Sequence, residues 1–189
     1  MRKTDEELIK DVQTGTLEAF DQLMQRYQEY VFRIAYSFGK SQQNAMDISQ
    51  NVFLKSYEKL NSFKKRSTFK AWIGRIAYNE GINWAKKNSR YISSHEIEEV
   101  LVNQNSEISQ EDELLAKENK AELLKSLFAL NTKYRLAVVL RYLEDMPVKQ
   151  ISGVLNCSEG VVKNILHRSL QRLRQNLRQQ SYRGGYESM

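Results

Sequence analysis

Apolar residues recur every three or four positions along most of this chain, the period of helices that bury one face. Thr4 and Glu7 stand at capping-box spacing, which predicts a short helix from Asp5 towards Thr14 that Gly15 ends. A second helix is predicted from Phe20, Leu23, Met24, Tyr27, Val31, Ile34, Ala35 and Phe38, and Gly39-Lys40-Ser41 interrupts it. Ala45, Ile48 and Val52, with Tyr57 and Leu60 on the flank, outline a third. Residues 61–67 lack the period and read as a loop, after which Ser67 or Thr68 can cap a fourth helix from Phe69 to about Asn88. On that helix Phe69, Ile73, Ile76 and Ala77 share the face expected in the core. The period lapses after Arg90. It resumes at Leu114, Leu115, Leu123, Leu124, Leu127 and Phe128 and runs on through Leu136, Val139, Leu140 and Leu143.

A second pattern lies between Pro147 and Leu177. Pro147 suits a helix start, where its missing N–H is not needed. Ile151, Val154 and Leu155 form a short apolar face that stops at Asn156-Cys157-Ser158. Asn tolerates the left-handed backbone of a tight inter-helix turn, and Ser158 can cap the next helix with Glu159 in its first turn. Ser152 and Gly153 are small enough to let the two helices cross closely. This is the grammar of a helix-turn-helix. Its second helix buries Val162, Ile165 or Leu166, Ser169, Leu173 and Leu177, and carries Lys163, Asn164, His167, Arg168, Arg172, Arg174 and Arg178 on its other faces. Favourable pairing with the helix C-terminus accounts for Arg174 and Arg178. It does not account for Lys163, Asn164 and Arg168 in the N-terminal half, where a recognition helix carries its donors to base edges.

Charge adds a partner class. The 189 residues carry a formal charge of +6, which suits a polyanion such as nucleic acid. Between Asn61 and Arg90 the cations Lys64, Lys65, Arg66, Lys70, Arg75, Lys86, Lys87 and Arg90 face one acid, Glu80, and Phe63, Phe69, Trp72, Tyr78 and Trp84 are interleaved with them. Arg75, Asn79, Asn83, Lys86 and Arg90 form a polar stripe apart from the core face. Cations for a backbone, amides for base edges and aromatics for stacking suit single-stranded or melted nucleic acid. Taken singly, Trp72, Tyr78 and Trp84 read as ordinary core or boundary aromatics. Residues 91–118 instead hold Glu96, Glu98, Glu99 and further acids against the single base Lys117. The expected fold is all-α: helical domains over 1–90 and 113–180, the second containing the helix-turn-helix, held apart by a flexible acidic linker over 91–112.

Other chemistry is sparse. Only His95, His167 and Cys157 are present, and neither metal-ligand spacing nor a Gly-rich phosphate loop occurs, so no cofactor, metal, small-molecule substrate or catalytic residue is expected. The lone Cys157 fits a reducing compartment, and the first residues lack the apolar stretch of a signal peptide, so a cytoplasmic, soluble protein is expected.

Several segments, in order, resemble the extracytoplasmic-function group of bacterial sigma factors. Gly15 to Phe20 with Tyr27 is similar to the opening of their first conserved domain, and Ala45 to Lys55 to their polymerase-binding helix. Phe63 with Thr68 to Asn79 resembles the segment that opens and reads the −10 element. Leu130, Arg135 and Leu140 to Leu143 lead into the helix-turn-helix as in the second conserved domain. The chain departs from the family pattern at Met46, where an acid is usual, and at Asn131, where Pro is usual. The resemblance implies a non-enzymatic sigma factor that binds RNA polymerase core through the clamp helices and the flap. Asp47, Gln50, Asn51 and Phe53 would lie on or near the clamp-gripping surface. Phe63, Lys64, Lys65, Arg66, Lys70, Arg75, Asn79 and Asn83 would hold the non-template strand of melted promoter DNA, with one base extruded into a pocket near the loop. Lys163, Asn164, His167 and Arg168, with Arg172 on the same helix, would face the double-stranded −35 element. It also implies silencing by an anti-sigma factor, in many cases membrane-anchored, which would hold the protein at the inner face of the membrane. A dimeric helix-turn-helix repressor or activator is the competing reading, set against it by the second nucleic-acid surface at 61–90 and by the lack of an evident dimerisation segment.

Overall fold

The computed structural model describes residues 3–64, 67–88 and 121–184, with side chains through residue 178. The predicted linker 91–112, the loop cations Lys65 and Arg66, and Arg90 lie outside the described residues. The described regular elements are helical. Helix α1 spans Asp5–Gln13, α2 Leu17–Gly39, α3 Gln42–Lys59 and α4 Phe69–Lys87, with a 3-10 turn at Leu60–Ser62. Residues 121–129 are helical (α5). Helix α6 covers Thr132–Val138 and passes into a π turn at Val139–Leu143; α7 spans Val148–Leu155 and α8 Glu159–Gly184.

The local signals act as their chemistry dictates. Thr4 accepts from the Glu7 N–H while the Glu7 carboxylate takes the Thr4 N–H at 2.7 Å, closing the capping box. The Thr4 N–H and the Thr4 hydroxyl, both donating to it, hold the Glu7 carboxyl below its usual range. Helix α2 stops where Lys40 turns left-handed, at φ 59°, and Ser41 caps α3 through the Asn44 N–H. Of the two candidate caps for α4, Thr68 is the one used, accepting from the Ala71 N–H at 3.2 Å. Pro147 is the N-cap of α7, one position before its first turn. Asn131 caps α6, accepting from the Tyr134 N–H at 3.0 Å, so the departure from Pro supplies a side-chain cap.

Helices α1 to α4 pack around Leu23, Val31, Ile34, Ala35, Ile48, Val52 and Ile73, and α5 to α8 around Leu136, Leu140, Ile151, Val154 and Val162, all buried. These two groups form one continuous apolar core. Helix α4 lies against α7, and α2 against α6. The expectation that the two helical domains are held apart is therefore corrected, because apolar periodicity shows that a face is buried but not against what. Glycine permits the contact at Gly74, where a Cβ would collide with the Tyr30 hydroxyl and press on Val154 across the boundary. Gly81 admits the ring of Phe38 in the same way. Gly153, expected at a close helix crossing, is exposed with open space where a Cβ would sit, so that expectation is overturned. Leu143, read as an apolar position, is 46% exposed because the π turn carries it off the buried face.

Arg135 joins the halves from within. It is almost fully buried, donates to the carbonyls of Phe128 and Leu130, and reaches across at 2.5 Å to the carbonyl of Ser37. That carbonyl belongs to the last turn of α2, where helix carbonyls lack internal partners and a cation is favourable. Burial lowers the guanidinium to about 10, because the charged form loses its hydration there.

Candidate nucleic-acid interface

Helix α8 is aimed by the turn before it. Asn156 adopts the left-handed conformation (φ 50°, ψ 54°) that the sequence predicts, and the Ser158 hydroxyl accepts from the Val161 N–H at 3.4 Å. Val162, Ile165, Leu166, Ser169 and Leu173 are buried. Because those five face inward, Lys163, Asn164, His167, Arg168 and Arg172 all lie exposed on the opposite side. Arg172 additionally stacks over the Tyr134 ring at 5.2 Å, which fixes one end of the row. The surface offers long donors near a helix N-terminus with cations along its flank, the chemistry that enters a major groove.

Helix α4 carries the second surface. Phe69, Ile73 and Ala77 are buried and Ile76 is half-buried, while Arg75, Asn79, Asn83 and Lys86 are exposed, so the polar stripe exists as read. The aromatics serve packing first. Phe63, Phe69 and Trp72 form an edge-packed cluster with centroids 5.1–5.9 Å apart, and Tyr78 packs on Phe38 at 5.9 Å. Burial pushes the Tyr78 phenol up. Phe63 is half-buried and Lys64 exposed, and between Phe63 and α1 lies a cavity of about 370 Å³ lined by Asp5, Glu6, Ile9, Phe63, Ser67, Thr68 and Phe69. Glu80, the lone acid of the segment, is neutralised by Lys55 at 2.6 Å and accepts from Asn83 at 3.4 Å.

Two residues of the strip are engaged across the boundary. The Lys70 ammonium pairs with the Glu144 carboxylate at 2.8 Å and donates to its main-chain carbonyl at 3.0 Å. Arg75 donates to the Asn156 side chain at 3.0 Å. Glu144 escaped the sequence reading because its partners, Lys70 and Arg33, lie 74 and 111 positions away.

On the far face of α3, Asp47, Gln50 and Asn51 are exposed and Phe53 is half-buried. Asp47 accepts from Gln43 at 3.3 Å, and the Asn51 amide donates to the Asp47 carbonyl at 3.0 Å. Gln50 and Phe53 line a groove of about 420 Å³ with Phe20, Met24, Leu54 and Tyr57. Leu54 and Tyr57, which line it, are each about half exposed, at 58 and 45%. Of the residues named from the sequence for this helix, Gln50 and Phe53 line the groove; Leu54, which lines it too, was not named. The available signal was Leu54 itself, which falls off the Ala45/Ile48/Val52 face. Among the described residues no helix is long and apolar enough to cross a membrane.

Known proteins carry the same organisation. Residues 23–91 match the family model for sigma-70 region 2, and residues 120–173 the model for sigma-70 region 4. The chain is 29% identical over 177 residues to the ECF RNA polymerase sigma factor SigW of Bacillus subtilis, covering 90% of this chain and 95% of that one. It is 28% identical over 173 residues to the ECF RNA polymerase sigma-E factor of Escherichia coli K12, covering 88% and 90%. Among solved structures, the chain resembles CnrH in complex with the cytosolic domain of CnrY (TM-score 0.68, 23% identity, 92% and 96% covered). It likewise resembles the sigma factor RpoE in complex with the anti-sigma factor NepR from Bartonella quintana (TM-score 0.67, 22% identity, 84% and 96% covered).

Proposed function

Because this chain belongs to the extracytoplasmic-function group of the sigma-70 family, we propose that its groove on α3 grips RNA polymerase core, its α4 strip holds the −10 strand, and its α8 reads the −35 duplex. The chain is a sigma factor, and it directs promoter-specific initiation by RNA polymerase. The division of labour among its residues is our reading. It rests above all on one observation: Lys163, Asn164, His167, Arg168 and Arg172 emerge together on the exposed side of a helix whose other side is locked into the core.

On this reading Asp47, Gln50, Asn51 and Phe53 provide the polar and aromatic part of the clamp contact, and Leu54 and Tyr57 its apolar centre. A half-exposed apolar groove rimmed by polar side chains has the composition of a protein interface. Lys64, Lys70 and Arg75 take phosphates of the non-template strand, and Asn79 and Asn83 take base edges. The cavity beside Phe63 receives one unstacked base, at a cost of a few kcal/mol that a snug pocket recovers selectively. In α8, Arg168 and Asn164 reach base edges, while Lys163 and Arg172 neutralise phosphate. The protein performs no chemistry of its own; polymerase supplies it. An anti-sigma factor binds the chain to silence it, as the structurally similar RpoE is held by NepR.

Gel filtration of the purified chain with core polymerase, followed by run-off transcription from a promoter selected by that complex, tests the reading. Co-elution and initiation that requires the chain are expected. A chain that neither co-elutes nor directs initiation overturns it.

A further inference from the structure

The cations assigned to the −10 strand are not all free to take it. Glu144, at the end of the π turn, has a side chain only 5% exposed. Its carboxylate receives the Arg33 guanidinium at 2.5 Å and the Lys70 ammonium at 2.8 Å. Lys70 and Glu144 are bonded twice, and five residues along α4 Arg75 is held by Asn156, the left-handed hinge of the helix-turn-helix. The C-terminal half therefore presents a carboxylate and an amide oxygen where a nucleic-acid strand would present phosphates. Meanwhile Lys163, Asn164, His167 and Arg168 stay exposed.

Length makes this arrangement consequential. The −35 and −10 elements, about 25 base pairs apart, are separated by roughly 85 Å at 3.4 Å per pair. A compact body of about 150 residues has a radius of gyration of roughly 15 Å. The packed form cannot span both elements, so it must open to work. The boundary is suited to opening, because the Tyr30 hydroxyl is buried there without a hydrogen-bond partner, between Gly74 and Val154, and separation would hydrate it.

We propose that the chain is self-latched: Glu144 and Asn156 occupy Lys70 and Arg75 as strand mimics, so that single-stranded DNA and domain closure compete for the same two cations. This rests on the reading of Lys70 and Arg75 as strand contacts. Closure masks the −10 surface while leaving the −35 surface available, and a strand that displaces Glu144 shifts the population towards the open form by its own differential affinity.

The test uses the full chain with Cys157→Ser, spin-labelled at Gln25→Cys on α2 and Gln171→Cys on α8, both exposed positions. Electron–electron distance measurements without DNA should give one narrow, short distribution. Glu144→Gln should add a long-distance population and bind the single-stranded oligonucleotide dT12 about fivefold more tightly, since apparent affinity scales with the competent fraction. Saturating dT12 should open the unsubstituted chain too. Arg33→Met removes the second cation that holds Glu144 across the boundary, outside the DNA surface, and should also add a long-distance population, which keeps the test decisive if Glu144→Gln misfolds. A broad distribution in the unsubstituted chain, or closed distances in both variants, overturns the latch. Opening without any gain in dT12 affinity overturns the competition. If no chain binds dT12 and Lys70→Ala changes nothing, the underlying strand reading fails instead.

Discussion

Arg135 donates to the carbonyl of Ser37 at 2.5 Å, so a guanidinium from the C-terminal half closes the open end of a helix in the N-terminal half. The two residues are 98 positions apart. Their contact ties the orientation of the helix-turn-helix to the end of α2, and the same guanidinium bonds the Phe128 and Leu130 carbonyls and the Thr132 hydroxyl. Replacing Arg135 with Met leaves three buried carbonyls short of a donor, each worth about 1–3 kcal/mol. We expect a loss of about 3 kcal/mol by urea unfolding, the lower end of that range for three groups. Arg135→Lys should recover only part of it, because an ammonium cannot fork to carbonyls on two sides. Equal stability of the Met variant and the parent would contradict the assignment.

The Tyr30 hydroxyl predicts the opposite sign. It is buried and unpartnered, and burial drives its ionisation far above the usual range. Tyr30→Phe should therefore stabilise the chain by about 1 kcal/mol. Gly74→Ala puts a Cβ into that hydroxyl and should cost about 1–3 kcal/mol. In the double variant the two changes should not add, since Tyr30→Phe removes the colliding oxygen. Thermal unfolding of the four proteins measures the coupling.

Much of this was legible in the sequence. The capping box at Thr4, the left-handed turn at Asn156 and the exposed face of α8 follow from local signals, because caps, turns and helical periods are properties of neighbouring residues. The polar stripe Arg75, Asn79, Asn83 and Lys86 was legible for the same reason. What crosses the chain was not. Glu144 looks like any surface acid until Arg33 and Lys70 are brought beside it, and Gly74 looks like a weak point in a helix until Tyr30 and Val154 fill the space it leaves. The small residue at 153 suggested a close crossing of α7 and α8, yet it faces open space, while Gly74 and Gly81 on α4 make close approaches that were not read, since size alone does not say which face a glycine occupies.

The groove on α3 gives a prediction about polymerase. Leu54 is 58% exposed, so Leu54→Ser should barely change folding stability. It should weaken core binding roughly tenfold, the consequence of about 1.4 kcal/mol lost at the centre of an interface. Fluorescence titration of labelled chain with core polymerase checks it. Unchanged affinity would move the polymerase contact away from this groove.

On α8, Lys163→Ala should weaken binding to a −35 duplex uniformly across sequences and reduce the salt slope by about 1, as removal of one phosphate contact requires. Arg168→Ala should cost about 1–3 kcal/mol and relax the preferred sequence at one position. Titrations of the duplex and of its single-base variants at several salt concentrations separate the two roles. A Lys163 variant with altered sequence preference would reverse the assignment.

On the reading proposed above, α8 takes double-stranded DNA and α4 takes melted DNA. The most direct test measures the affinity of its polymerase complex for two promoter fragments, one truncated to the −35 duplex and one forked with a single-stranded −10 segment but no −35 element. Asn79→Ala should lose affinity only for the fork, and Arg168→Ala only for the duplex. Equal losses by both variants on both fragments would contradict this division between α4 and α8.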